Sequence, residues 1–389
     1  MNGNNSSFIK NNSSFIKTDL PALTDLPALT DLLALTDLPA LNHIYFYLTE
    51  GCNLACRHCW IAPKFDEKGK LPSLPIELFK VAISEAKPLG LKGVKLTGGE
   101  PLMHPMFTDL LEIVRSEDLE LIIETNGLLC TSEVAAEIAK IRKRFVSVSI
   151  DGSDAATHEW LRGVPGCFEQ AKEAVRNLKT AGIKPQIIMT LMQRNIDQIE
   201  EVIHMAEQLG ASSIKFNVVQ PTARGENFSE SGETPGLEEI IQKAQYVEQK
   251  LSSTTKLSLI FGVPYAFRSL SHISKGGCEG CNIINVIGII ASGHYALCGI
   301  GNHIPELVFG SVGKDKLEDI WKNNEVLNSI RTKTLDNLEG ICSRCLMKQT
   351  CLGGCIAQNY YKNKNLWAPY WFCDQADKAN LFPTSRLIK

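Results

Sequence analysis

What the chain lacks narrows the field first. Its start, Met1-Asn-Gly-Asn-Asn-Ser-Ser7, has neither the basic residues nor the apolar core of a secretory signal, so export is not expected. It lacks an excess of either charge: 40 Lys and Arg against 43 Asp and Glu leave a formal net charge of −3, which offers nucleic acid no footprint. Long apolar runs are missing as well. The one extended uncharged stretch, Cys281 to Pro305, carries Asn285, Gly288, Gly293, His294, Gly299, Gly301 and Asn302, and is not apolar enough to span a bilayer. A 44% hydrophobic and 21% charged composition is that of a soluble globular protein, and the expected location is the cytoplasm. What the chain has in plenty is cysteine. Thirteen of them without an export signal argue for reduced, metal-binding thiols rather than disulfides.

The first 41 residues are repetitive. Asn4-Asn-Ser-Ser-Phe-Ile-Lys10 is repeated as Asn11–Lys17, and Thr-Asp-Leu-Pro-Ala-Leu runs from Thr18, Thr24 and Thr36 with a near copy from Thr30. Periods of six or seven are far below the ~20 residues of a solenoid repeat, and Pro21, Pro27 and Pro39 interrupt any long helix. Residues 1–41 are expected to be a low-complexity leader, mostly disordered or loosely packed.

From Asn42 apolar runs at 44–48, 93–97, 119–124, 145–150, 185–191 and 213–219 alternate with amphipathic stretches at 76–87, 106–116, 132–142, 168–180 and 195–209. Six strands with intervening helices predict an α/β fold, a parallel sheet curved into a partial (β/α)6 barrel over 42–255, followed by a second domain over 256–389. Ligand chemistry in such barrels sits at the C-terminal strand ends. The distinctive residues lie at those ends: Gly98 to Pro101 after strand two, Glu124-Thr-Asn-Gly127 after strand three, Ser149-Ile-Asp-Gly152 after strand four. Met189-Thr-Leu191 ends strand five, and Val219-Gln-Pro-Thr-Ala-Arg-Gly225 leaves strand six.

The loop after strand one, Thr49-Glu-Gly-Cys-Asn-Leu-Ala-Cys-Arg-His-Cys-Trp60, places Cys52, Cys56 and Cys59 at C-x3-C-x2-C spacing. Three thiolates on one short loop hold three irons of a 4Fe–4S cube and leave the fourth open. A zinc knuckle with His58 as fourth ligand is the rival. Thr97-Gly-Gly-Glu-Pro101 follows at the end of strand two, where paired glycines expose backbone groups to a close ligand.

Together the triplet and this motif resemble the radical SAM superfamily, and the C-terminal cysteines resemble its SPASM extension, found in peptide and protein maturases. The resemblance implies S-adenosylmethionine (SAM) as cofactor, cleaved reductively to a 5′-deoxyadenosyl radical at the cluster of Cys52, Cys56 and Cys59. It implies that Gly98, Gly99, Glu100 and Pro101 hold the amine end of SAM. Ser149 and Asp151 would approach its ribose and carboxylate, and Arg162 would neutralise that carboxylate. Asn126, Thr190 and Gln220 would face the mouth. His58, at a position usually aromatic, would stack on adenine.

The SPASM pattern is met by Cys278, Cys281, Cys298 with Gly293 five residues before it, then Cys342, Cys345, Cys351, Cys355 and Cys373. By that likeness Cys278, Cys281, Cys298 and Cys355 would ligate one auxiliary 4Fe–4S cluster. Cys342, Cys345, Cys351 and Cys373 would ligate a second, making three in all. A pair of zinc sites is the alternative from spacing alone. Cys130 and Cys167 remain; most stray cysteines are structural, and the alternative role for both is hydrogen donation to a substrate radical.

Sulfatase-maturing members have an aspartate directly after the cysteine matching Cys298; here Gly299 follows. The pattern around Cys59-Trp-Ile-Ala-Pro63 and Ala296–Gly310 resembles maturases of peptide-modification cassettes such as the SynChlorMet type. The expected substrate is therefore a ribosomal precursor peptide that acquires a crosslink, thioether or epimer. Any peptide-recognition module would be a separate protein, and a flavodoxin- or ferredoxin-type reductant is expected. Tetrapyrrole side-chain tailoring is the runner-up, and an iron–sulfur electron carrier without turnover ranks last.

Overall fold

The computed structural model describes residues 38–274 and 283–388. Most of the N-terminal repeat, and the ligand candidates Cys278 and Cys281, lie outside the described residues. The chain divides into two units, Met1–Pro39 and Ala40–Lys389, and the second carries the sheet and the cysteines.

Alternation of apolar and polar residues builds one ten-stranded sheet. In chain order its strands are β1 (His43–Tyr47), β2 (Gly93–Thr97), β3 (Glu120–Thr125), β4 (Arg144–Ser149), β5 (Gln186–Leu191), β6 (Ser213–Val218), β7 (Ser258–Phe261), β8 (Val286–Ile289), β9 (His294–Ala296) and β10 (Val308–Ser311). Their order in space is β10-β9-β8-β1-β2-β3-β4-β5-β6-β7. All pairings from β8 to β7 are parallel, and only β9 is reversed, pairing antiparallel with both β8 and β10. The six expected strands fall within one residue of the apolar runs. Two more parallel strands flank them: β7 beyond β6, and β8 on the far side of β1. Through β8 the region carrying the late cysteines is hydrogen-bonded directly into the barrel sheet.

Helices α1 (Ile76–Ala86), α2 (Phe107–Ser116), α3 (Ser132–Ala139), α4 (Ala155–Arg162), α5 (Cys167–Thr180) and α6 (Ile199–Leu209) cross between the parallel strands. The expected helix from Asn195 starts at Ile199. The Asn195 side chain folds back, accepting from the Met192 N–H and donating to the carbonyls of Asp151 and Thr190, so a short 3₁₀ turn, Ile196–Gln198, comes first.

Register sorts the side chains into two faces, because successive residues of a strand point opposite ways. Ile44, Phe46, Val94, Leu96, Leu121 and Ile123 share the face turned to the helices and are almost fully buried. Phe46 stacks on Phe79 of α1 with ring centroids 4.3 Å apart. The opposite face carries charged and polar side chains interspersed with Ile122, Phe145 and Ile188. Tyr45, Lys95, Glu124 and Lys215 lie on it. Lys215 on β6 acts electrostatically on Glu124 of β3, although two strands lie between them. That is possible because the sheet curves and encloses a polar lumen. Ser147, Gln186 and Ser213, adjacent in register, link side chain to side chain across β4, β5 and β6. The apolar core thus lies between sheet and helices.

Among the described residues no helix is long and apolar enough to cross a membrane. The core assignment predicts that Phe46→Ala lowers unfolding free energy by about 3–5 kcal/mol, measured by urea denaturation of the metal-free protein.

Candidate functional site

The cysteine loop leaves β1 and is pinned to α4 by its backbone. Ala55 N–H donates to the Arg162 carbonyl and Arg57 N–H to that of Leu161, both at 3.0 Å. Gly51–Cys52 pairs with Lys64–Phe65, and Asp66 closes the return by accepting from the N–H groups of Lys70 and Leu71. Cys52 and Cys56 are buried and Cys59 half-buried. The sulfurs of the first two already have donors. Cys52 Sγ accepts from Leu54 N–H at 3.4 Å and from Asn126 Nδ2 at 3.7 Å; Cys56 Sγ accepts from the Arg162 guanidinium at 3.6 Å. Burial pushes the Cys56 thiol up to about 11, and raises Cys52 further with help from Glu100 and Cys56.

Arg162, the last residue of α4, also meets Asp151 beyond β4, with Nε 2.5 Å from Oδ2 and both side chains buried. Burial opposes both charges, and their mutual attraction outweighs it: Asp151 is held below the usual carboxylate range and Arg162 is raised. The other Asp151 oxygen accepts from Thr190 N–H at 2.7 Å, and the Asp151 N–H donates to His158 Nδ1 at 3.0 Å. Burial lowers His158 to about 4. One ion pair therefore ties the cysteine loop to the ends of β4 and β5. The arginine expected to meet a SAM carboxylate is, in this structure, engaged by a carboxylate of the chain itself.

The glycines after β2 are needed for close approach. Gly98 has φ +119°, and a Cβ on Gly99 would stand 1.9 Å from the Gly51 carbonyl oxygen. Glu100 is fully buried and accepts from Thr125 Oγ1 (2.6 Å), Asn126 N–H (2.8 Å) and Leu102 N–H (3.1 Å). Burial raises it to about 7 against those three bonds. Its carboxylate locks the ends of β2 and β3 together, and Pro101 opens a 3₁₀ turn capped by it. His58 Nδ1 is buried without a hydrogen-bond partner among the described residues, and burial lowers the ring to about 4. Such an orphaned ring nitrogen next to the cysteines suits a bound polar group. Ser149 sits half-buried on the inner face of β4. The Gln220 carbonyl accepts from Thr222 N–H. Cys130 is buried in the apolar core behind β3, whereas Cys167, at the start of α5, packs among Cys52, Leu54 and Cys56.

In the C-terminal region Cys342, Cys345, Cys351 and Cys373 line one small pocket, with Ile341, Met347 and Phe382. This is the foursome that the SPASM likeness groups together. Cys298 lies against the inner face of the sheet, its backbone 2.7 Å from where a Gly288 Cβ would stand. Tyr370 lies between the two cysteine sets. Its N–H donates to Cys342 Sγ at 3.4 Å, its ring covers Gly354 beside Cys355, and its hydroxyl is raised by burial and by Cys355, Cys373 and Cys351. Among the described residues no three His, Cys, Asp or Glu side chains converge as a single metal ion requires. A cube asks less convergence, since each thiolate takes its own iron.

Sequence reasoning left several participants without a role. Arg224 donates to the carbonyls of Cys56 and Pro63 and so holds the cysteine loop from the β6 side. Asn195 and the lumen residue Lys95 were unmarked, and Thr125 and Glu124, the latter 2.5 Å from Lys95, stood in the run after strand three without an assigned role. A period-two reading of Tyr45-Phe-Tyr47 and Lys95-Leu-Thr97 would have found the lumen.

Residues 46–206 match the radical SAM superfamily and residues 278–346 the SPASM iron–sulfur cluster-binding domain. The chain is 31% identical over 336 residues to an AdoMet-dependent heme synthase of Methanosarcina barkeri, covering 82% of this chain and 91% of that one. It belongs to the radical SAM superfamily. The chain is also 25% identical to the mycofactocin maturase MftC of Mycobacterium tuberculosis, over 84% of this chain and 81% of the relative. SuiB of Streptococcus suis bound to its precursor peptide SuiA shares the fold, with a TM-score of 0.69, 18% identity, and coverage of 86% of this chain and 76% of that one. As a radical SAM enzyme with a SPASM domain, the protein uses a 4Fe–4S cluster, SAM and further iron–sulfur clusters. The residues present fit these groups. Cys52 and Cys56 have N–H donors on sulfur, the third thiol shares their loop, and four later cysteines face one cavity.

Removing one partner of the buried pair strands the other charge. Arg162→Ala is expected to lower apo-protein stability by about 3–5 kcal/mol, and Asp151→Asn added to Arg162→Met to recover part of it, both by urea unfolding. His158 gives a pH dependence. Its folded pKa lies below its unfolded value, so its contribution is present above about pH 6.5 and is lost as pH falls toward 4. That contribution is on the order of 3 kcal/mol, and His158→Asn should flatten the stability curve in this window.

Proposed function

We propose that this radical SAM enzyme acts on a ribosomally made precursor peptide, abstracting hydrogen from a side-chain or α carbon to install a crosslink, thioether or epimer. The bound cluster and SAM supply a one-electron cleavage that yields a hydrogen-abstracting carbon radical. The chain's own part is to hold and orient. Cys52, Cys56 and Cys59 present three irons' worth of ligands, and Arg162 and Asp151 fix the loop that carries them. The observation that carries the peptide reading is the polar lumen. Lys95, Glu124, Lys215 and Ser149 line it, and such walls offer charge and hydrogen-bond partners to the amides and polar side chains of a peptide. Gly299 adds to it. A Cβ there would lie 2.3 Å from the Tyr47 ring and 2.6 Å from Ile61, so the aspartate of sulfatase maturases has no room at that residue. The maturase relative supports the same substrate class.

Tetrapyrrole tailoring is the second reading, favoured by the 31% identity to a heme synthase. An electron carrier without turnover ranks last, because it would need neither the strand-two nor the strand-four motif. A flavodoxin- or ferredoxin-type reductant and a separate peptide-recognition protein are the expected partners. Division into a core over 42–255 and a cluster domain over 256–389 belongs to the same proposal, as do the two auxiliary clusters, the first with Cys278, Cys281, Cys298 and Cys355.

Anaerobically reconstituted, reduced protein should cleave SAM to 5′-deoxyadenosine and methionine, and Cys56→Ala should abolish this. Co-expression with a short peptide encoded nearby should change the peptide by about two mass units for a crosslink, or leave its mass unchanged with solvent deuterium at one carbon for an epimer. If no encoded peptide changes while a tetrapyrrole loses a side-chain fragment, the second reading replaces the first.

A further inference from the structure

Two arginines with no ion-pair partner among the described residues share one tryptophan at the outer edge of the cysteine loop. Arg57, between Cys56 and Cys59, is exposed; its Nε donates to the Trp160 carbonyl at 2.8 Å and its guanidinium stands 4.8 Å from the Trp160 ring centroid. Arg194, also exposed, places its guanidinium 4.3 Å from the same centroid. Both stand on rigid backbone. The Arg57 N–H is tied to α4, and Arg194 precedes Asn195, whose side chain is bonded to Asp151 and Thr190. The Trp160 ring packs in turn on Phe228, 6.0 Å away, and Phe228 on His58.

A π face lets two cations approach one ring, but it does not neutralise them. What remains is a fixed pair of positive charges, one of them on the cysteine loop itself between two cluster ligands. The pair is exposed to solvent, whereas Lys95 and Glu124 face the lumen. A substrate has to reach the lumen. An electron donor has to reach the cluster from outside, and it gains from an oriented cationic patch that steers an anionic surface toward it. We propose that Arg57, Trp160 and Arg194 form the docking surface for an acidic one-electron carrier protein that reduces the cluster held by Cys52, Cys56 and Cys59. The carrier loses one electron and the cluster gains it; no bond is made or broken and no proton moves at the cluster. This rests on a flavodoxin- or ferredoxin-type reductant and is independent of the peptide reading.

The test measures cluster reduction itself, without SAM or peptide, by anaerobic stopped-flow absorbance of the iron-loaded protein. A bacterial flavodoxin in its fully reduced form is the acidic probe, and reduced methyl viologen is a small cationic control. Iron content and absorbance first establish that each variant carries its clusters. Arg194→Glu is expected to slow reduction by flavodoxin about tenfold or more at low salt, within the 10–10³ range of electrostatic steering. The gap should close as ionic strength rises, and the viologen rate should not change. Arg194→Gln, which removes only the charge, should fall between. Equal flavodoxin rates for wild type and Arg194→Glu at low salt would overturn the proposal, as would equal losses with both reductants. A variant that is reduced normally but binds an acidic peptide more weakly would reassign the patch to substrate.

Discussion

A single buried ion pair organises the reactive end of this protein. Asp151 and Arg162 meet where three pieces of chain converge: the cysteine loop, whose backbone and Cys56 sulfur bond to Arg162; β4, which leads into Asp151; and β5, whose Thr190 N–H bonds to Asp151. Out of water neither charge is tolerable alone. Each therefore fixes the position of the other, and through them the position of Cys56 relative to the strand ends. Glu100 plays a parallel part for β2 and β3, with hydrogen bonds from Thr125 and Asn126 in place of an ion pair. Asn126 then bonds to Cys52 Sγ. Two carboxylates thus hold two of the three thiols of the cysteine loop.

The sheet turns its fully apolar face outward and its charged side chains inward. Helices cover the outer face and supply the core, which frees the inner face from any packing duty and leaves it available for chemistry. Lys95, Glu124 and Lys215 sit there without breaking the fold because the lumen leaves their side chains partly exposed. The C-terminal region does not merely cap this arrangement. It adds β8 to the sheet beside β1, and the close contact at Gly288 sets Cys298 against the inner wall. Both cluster-bearing regions then share one sheet.

Much of this was readable in the sequence because it is local. Ligand spacing is a property of a few consecutive residues, so Cys52, Cys56 and Cys59 and the set from Cys342 to Cys373 stood out as ligand candidates. The outer-face residues Ile44, Phe46, Val94 and Leu96 made apolar runs that located the strands to within a residue. What escaped notice depends on distant contacts. Gly288 looked like one more residue too polar for a membrane, and nothing nearby marked it as the partner of Tyr45. Asn195 reads as a helix start, yet its amide is used by strand ends 44 and 5 residues away in sequence. Arg224 lies 168 residues from the carbonyl it holds. Arg162 and Asp151 were both noticed, but their pairing with each other was not.

The central claim is that the polar inner face, opening at the cysteine loop, is where substrate is held. The most direct measurement is a crystal structure of the iron-loaded protein with SAM and its candidate peptide, phased on the anomalous signal of iron. The account predicts iron at Cys52, Cys56 and Cys59, and a peptide residue inside the lumen between that loop and the Lys95–Glu124 pair. A peptide bound only on the outer surface, with the lumen closed to it by its own side chains, would contradict the claim.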